Sequence, residues 1–113
     1  MELQYSKLEN NLRLIKLIGR LDISGVNEIE TKFSDCCSGE NPRVIVDLSG
    51  VDFLASIGIR LLTLSAKLIA SRGGRMVLLN PTSDVKDVLD ITGVPAIIPI
   101  YYDLKSAEAA LTA

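Results

Sequence analysis

Asp22, Asp47, Asp52 and Ser56 are the side chains of this 113-residue chain whose types and order suit chemistry. In alternating strand-helix folds the loops that leave the C-terminal ends of strands form the usual functional edge, and these four residues are expected there. Clustered carboxylates can bind magnesium, and one aspartate can then take a phosphoryl group. The acids here do not form the adjacent pair such a site favours, and Tyr101-Tyr102-Asp103 stands where a lysine after the last strand would be wanted. A nucleophilic serine fares worse. The chain has no histidine to act as base, no Gly-x-Ser-x-Gly turn surrounds Ser56, and Lys67 lies turns away. What remains for Ser56 is to cap a helix or to be modified itself. On position alone capping is the simpler reading, because serine is a preferred N-cap residue. Strand-end capping is likewise the simple reading for Asp47, given the turn-like Leu48-Ser49-Gly50 that follows it.

The elements that must position these residues are legible in the pattern. Glu2 to Lys7 and Leu12 to Ile18 read as strands joined by a turn at Asn10-Asn11. Val26, Ile29, Phe33 and Cys36/Cys37 fall on one face of a helix for which Ser24 is available as cap. Arg43 to Leu48 is a short β-branched run between Asn41-Pro42 and Ser49-Gly50, as expected of a central strand covered on both faces. From Ser56 to about Ser71 the apolar rows Ile57, Leu61, Leu64, Leu68 and Leu62, Ser65, Ile69 lie side by side, with Arg60, Thr63, Lys67 and Ser71 opposite, which predicts a long, well-buried helix. Gly73-Gly74 stops it. Met76 to Leu79 is a further strand, and Ser83 is expected to cap a third helix ended by Gly93. Ile97 to Tyr101 contains Pro99, which places that strand at a sheet edge, and a last helix begins near Asp103. The result is β-β-α-β-α-β-α-β-α: an α/β fold whose mixed sheet of about five strands opens with a hairpin, continues in βαβ units and is packed with about four helices. No linker interrupts it, so one domain spanning 1–113 is expected.

Composition narrows the function classes. A hydrophobic fraction of 48% with 4% aromatics requires an aliphatic core. Twelve basic against fourteen acidic side chains give a net charge of -2 without a basic block, which disfavours nucleic acid and anionic membranes as partners. No long apolar run or signal-peptide pattern occurs, so the cytoplasm is the expected compartment. Cys36 and Cys37 are adjacent and poorly placed for a disulfide, and without histidine the soft ligand sets for zinc cannot be assembled. Neither a metal nor a cofactor is expected, and one cysteine should simply pack in the core.

The stretch Val44-Ile45-Val46-Asp47-Leu48-Ser49-Gly50-Val51-Asp52-Phe53-Leu54-Ala55-Ser56-Ile57-Gly58-Ile59-Arg60-Leu61-Leu62 resembles the signature of STAS domains, named for sulfate transporters and anti-sigma factor antagonists. Gly19-Arg20-Leu21-Asp22, Leu78-Leu79-Asn80 and the set Val85, Leu89, Gly93 are similar to the family's pattern as well, so the resemblance spans almost the whole chain. For a bacterial antagonist it implies a protein-interaction switch and no enzyme. The unphosphorylated protein binds an anti-sigma factor serine kinase, a GHKL-type ATPase, and so frees sigma factor for transcription. Phosphorylation breaks that complex, and a serine phosphatase is the partner that would reverse it.

The residue matching the phosphorylated serine is Ser56, and the resemblance implies a partner surface of Asp22, Asp52, Ala55, Ser56, Ile57, Gly58 and Arg60. Asp22 matches the acidic residue of the loop facing the serine. For Asp52 a solvated loop charge, and for Arg60 a solvated helix face, are the plain readings beside that one. Ala55 stands where many antagonists have Asp and Ile57 where many have a second hydroxyl, which leaves Ser56 as the one hydroxyl in its turn. The family also includes constitutive regulatory subunits of transporters and stress-signalling assemblies that are not phosphorylated, and this is the alternative reading.

Overall fold

The computed structural model describes residues 1–112. Strand β1 (Glu2–Lys7) turns through a short 3-10 segment into β2 (Leu12–Leu21), and α1 (Ile23–Cys36) leads to β3 (Arg43–Leu54). Then follow α2 (Ser56–Ser71), β4 (Arg75–Leu79), α3 (Ser83–Ile91), β5 (Ile100–Tyr101) and α4 (Leu104–Thr112). Spatial order equals chain order, β1-β2-β3-β4-β5, with β1 antiparallel to β2 and every other pair parallel. The turn between the first two strands works because Asn10 and Asn11 both take positive φ, 61° and 59°, a region asparagine tolerates better than most residues.

Side-chain alternation along the central strands divides the core in two. Val44, Val46 and Leu48 of β3 and Met76 and Leu78 of β4 face a cluster built with Val26, Ile29 and Phe33 of α1, Leu61, Leu62 and Ile69 of α2, and Val85 and Leu89 of α3. Ile45, Val77 and Leu79 point the other way, with Leu12, onto Ala107 and Leu111 of α4. Three helices therefore cover one face and one helix covers part of the other, and β3 is buried on both sides as its composition demands. Burying each such aliphatic side chain contributes about 1.5–3 kcal/mol. Cys37 packs into the larger cluster and Cys36 is half-buried.

Several expectations are corrected. Ser49-Gly50 does not end β3. The strand continues to Leu54, paired with β2 alone, after β4 pairing stops at Asp47 and Leu79. Gly50 is there because β2 comes close: a Cβ would stand 3.0 Å from both the Leu17 carbonyl and Ile18 Cγ1. Register shifts between Lys16 and Ile18 and between Gly19 and Arg20 absorb the irregularity, which is why β2 also outruns its expected end. The cap of α1 is Asp22 and that of α3 is Thr82, in place of Ser24 and Ser83. The buried face of α2 is narrower than its two apolar rows, for Leu64 and Leu68 are 47% and 53% exposed. Pro99 confines β5 to two residues, at the edge as expected.

Candidate functional site

The C-terminal ends of β2 and β3 lie side by side, with Leu21 paired to Leu54, and each strand passes directly into a helix. At the start of α1 the Asp22 carboxylate accepts the Gly25 N–H at 2.8 Å. At the start of α2 the cap position is Ala55, whose N–H donates to the Leu21 carbonyl at 3.1 Å. Glycine in the first turn of each helix permits this closeness. A Cβ on Gly25 would stand 1.9 Å from the Arg20 carbonyl, and one on Gly58 would stand 2.7 Å from Leu21 Cγ and 2.8 Å from the Leu21 carbonyl. Two helix N-termini are thereby held at one corner of the sheet.

Ser56 is the first residue of α2 and is exposed. The expectation that its side chain caps the helix is not met, because the cap position belongs to Ala55, which has no side-chain oxygen. Ile57 is half-buried against the core, Gly58 is buried, and Arg60 is exposed. Ile57, Arg60, Leu61, Leu64 and Leu68 line one wall of a groove of about 440 Å³ between α2 and α1, and Val26, Glu30 and Ser34 line the other.

Asp22 is brought to this corner and the other acids are not gathered around it. Asp52 is exposed within β3, a strand position where a loop was expected. Asp47 lies seven residues before the end of β3, about 20 Å along the strand. Its carboxylate accepts the Ser49 N–H at 2.9 Å inside the continuing strand, so the strand-end cap expected of it is not formed, and it lies far from the functional edge. Among the described residues no group of three or more acids or cysteines could hold a metal ion.

Two residues at this corner were not anticipated. The Arg20 guanidinium stacks 4.2 Å from the centre of the Phe53 ring, and its Nε donates to Asp22 at 3.3 Å. The Gly25 N–H, and after it the Arg20 side chain, hold the Asp22 carboxyl below the ordinary aspartate value although burial opposes this. Phe53 is 40% exposed, unlike Phe33, which is fully buried, and Arg20 pairs with it in register. The available signal was the aromatic just ahead of the helix start. Its meaning depended on a register shift the sequence does not announce.

Residues 5–107 match the STAS domain family. The chain belongs to that family. The STAS domain is 27% identical over 110 residues to BtrV of Bordetella bronchiseptica, a candidate anti-sigma factor antagonist by name, covering 97% of this chain and 94% of the relative. It is 28% identical over 95 residues to the anti-sigma F factor antagonist of Lysinibacillus sphaericus, covering 83% and 81%. Among solved structures it superposes on the anti-sigma factor antagonist SpoIIAA in its unphosphorylated form with a TM-score of 0.80 at 22% identity, over 99% and 98% of the two chains. On the phosphorylated form of the Bacillus cell fate determinant SpoIIAA the TM-score is 0.71 at 20% identity, over 96% and 99%. The five-stranded mixed sheet with four helices is thus the fold of those antagonists, as the sequence resemblance implied. Among the described residues no helix is long and apolar enough to cross a membrane.

Proposed function

We propose that this STAS domain is an anti-sigma factor antagonist that acts by partner switching, with Ser56 as the switch. Unphosphorylated, it binds an anti-sigma factor serine kinase of the GHKL type and releases sigma factor. Phosphorylation of Ser56 dissolves the complex, and a serine phosphatase restores it. The observation that carries the reading is the placement of Ser56: an exposed hydroxyl on the first turn of α2, not spent on capping, at the corner where β2 and β3 end.

A phosphoserine brings about -1.5 to -2 charges. At the start of a 16-residue helix the backbone N–H groups and dipole favour that charge by about 0.3–1 kcal/mol. Asp22, the neighbouring carboxylate, is already paired with Arg20, which moderates its repulsion. The domain therefore keeps its fold when modified, and the penalty falls on the complex. A dianion in a contact formed around a neutral hydroxyl is desolvated without a partner. A loss of about 3 kcal/mol there weakens binding roughly 100-fold. In this reading Asp22, Ala55, Ile57 and Arg60 surround the contact, exposed Asp52 lies at its margin on β3, and Gly58 positions the helix that presents it.

Incubation with the cognate kinase and ATP, followed by intact-mass measurement, tests the assignment. A gain of about 80 Da that disappears in Ser56→Ala is expected. No gain contradicts it and favours a constitutive subunit, and a gain that persists in Ser56→Ala contradicts it by placing the phosphate on another residue.

A further inference from the structure

The pole of the sheet opposite Ser56 carries a row of cations. Lys7 and Arg13 are register partners on β1 and β2, and Arg43 on β3 partners Arg75 on β4. Like charges on adjacent strands repel, and here they do so in a chain whose acidic side chains outnumber its basic ones. Lys7, Arg13 and Arg43, with Asn11, Asn41 and Glu40, line a recess of about 440 Å³. Among the described residues the ion pairs are Met1 with Glu28, Arg20 with Asp22 and Lys86 with Asp90, so none of the three cations of the recess has an ion-pair partner among those residues.

The recess is also partly organised. Arg13 Nη1 donates to the carbonyls of Cys36 at 3.0 Å and Ser38 at 2.6 Å, which fixes the guanidinium plane and leaves further donors on its fork. The side chains of Asn11 and Asn41 are carried on left-handed backbone, with φ of 59° and 49°. A fixed guanidinium, two further cations and two amides form a donor set for a phosphate-type oxyanion. The volume exceeds what a single phosphate fills.

We propose that this recess binds a small multivalent phosphate-type anion, either a free polyphosphate or the phosphate group of a phosphorylated small molecule. Arg13 supplies the fixed fork, Lys7 and Arg43 the balancing charge, and Asn11 and Asn41 amide donors. The proposal is independent of the role of Ser56, since the two sites occupy opposite ends of β3.

The test is titration of the ¹⁵N-labelled protein with pyrophosphate and, separately, with glycerol phosphate, at constant ionic strength, followed by amide chemical shifts. Saturable shifts at Asn11, Arg13, Glu40, Asn41 and Arg43 are expected. Affinity should fall about tenfold in each of Lys7→Gln and Arg43→Gln, the loss of one charge-assisted contact, and should stay unchanged in Lys67→Gln on the exposed side of α2. Preference for glycerol phosphate assigns the site to phosphate esters, and preference for pyrophosphate to free polyphosphate. Both results support it. Shifts that rise linearly without saturation with both anions, or a Lys67→Gln effect equal to that of Arg43→Gln, would overturn the site.

Discussion

The Ala55 N–H donates to the Leu21 carbonyl over 3.1 Å, so the last residue of β2 holds the cap residue of α2. Leu21 is followed at once by Asp22, the cap of α1, and both helices that flank the proposed contact therefore start from one backbone anchor. Asp22 and Ser56 come together through Leu21 although 34 positions (56 − 22) separate them in sequence. No side-chain bond between them is needed.

That anchor predicts a sharp cost at Gly58. Alanine would put a Cβ 2.8 Å from the Leu21 carbonyl, which is backbone, and 2.9 Å from Leu54 Cδ1. Relief requires α2 to move off the ends of β2 and β3. Gly58→Ala should lower stability by about 1–3 kcal/mol, read as a drop in the urea midpoint at unchanged slope. An unchanged midpoint would show that the helix start is not held there.

Asp22 and Ser56 should separate cleanly in stability. Asp22→Ala removes an observed cap and is expected to cost about 1 kcal/mol. Ser56→Ala removes an exposed hydroxyl that caps nothing, and should stay within about 0.5 kcal/mol of wild type. Thermal or urea unfolding of the two variants decides it, and a larger loss in Ser56→Ala would restore the capping reading of that serine.

The limits of α2, Ser56 and Ser71, were readable because an apolar period starts after a polar residue and stops at Gly73-Gly74. The capping residues were not. Asp22 and Ser24, or Thr82 and Ser83, are chemically equivalent candidates one or two positions apart, and only the path of the chain out of the preceding strand selects between them. The length of β3 was hidden for a related reason. Ser49-Gly50 has turn composition, yet Gly50 is a close-approach residue inside a strand, and that follows from where β2 lies. Exposure of Leu64 and Leu68 likewise depends on how far α1 stands from α2, which a helical period does not encode. Asp47 shares an acidic type with Asp22 but not its location, because β3 runs on past it to Leu54.

Acid should expose the Asp22 contribution. Its carboxyl is held below the ordinary 3.8, first by the Gly25 N–H and then by Arg20. A depressed carboxyl stabilises the fold above its unfolded value, and the gain is lost as pH falls through the lower folded value. Wild type should therefore exceed Asp22→Asn, which keeps a capping oxygen, at pH 7, and the difference should vanish by about pH 2. Urea midpoints across that range test the sign. A difference that grows on acidification would contradict it.

Burial pushes the Cys37 thiol up to about 12, and Cys36, half-buried, is also raised by desolvation. The thiolate is the reactive form. Native protein at pH 8 should react slowly with iodoacetamide, at Cys36 first, and should gain the second adduct only when urea unfolds it. Peptide mass mapping reads the order, and rapid native labelling of Cys37 would place it outside the core.

The most direct measurement of the switch is the affinity of the cognate anti-sigma factor kinase for the unmodified domain and for the domain phosphorylated at Ser56, by titration calorimetry under the same conditions. Binding roughly 100-fold weaker after phosphorylation, with the far-ultraviolet spectrum of the domain unchanged, is the expected result. Equal affinities for the two forms would contradict it.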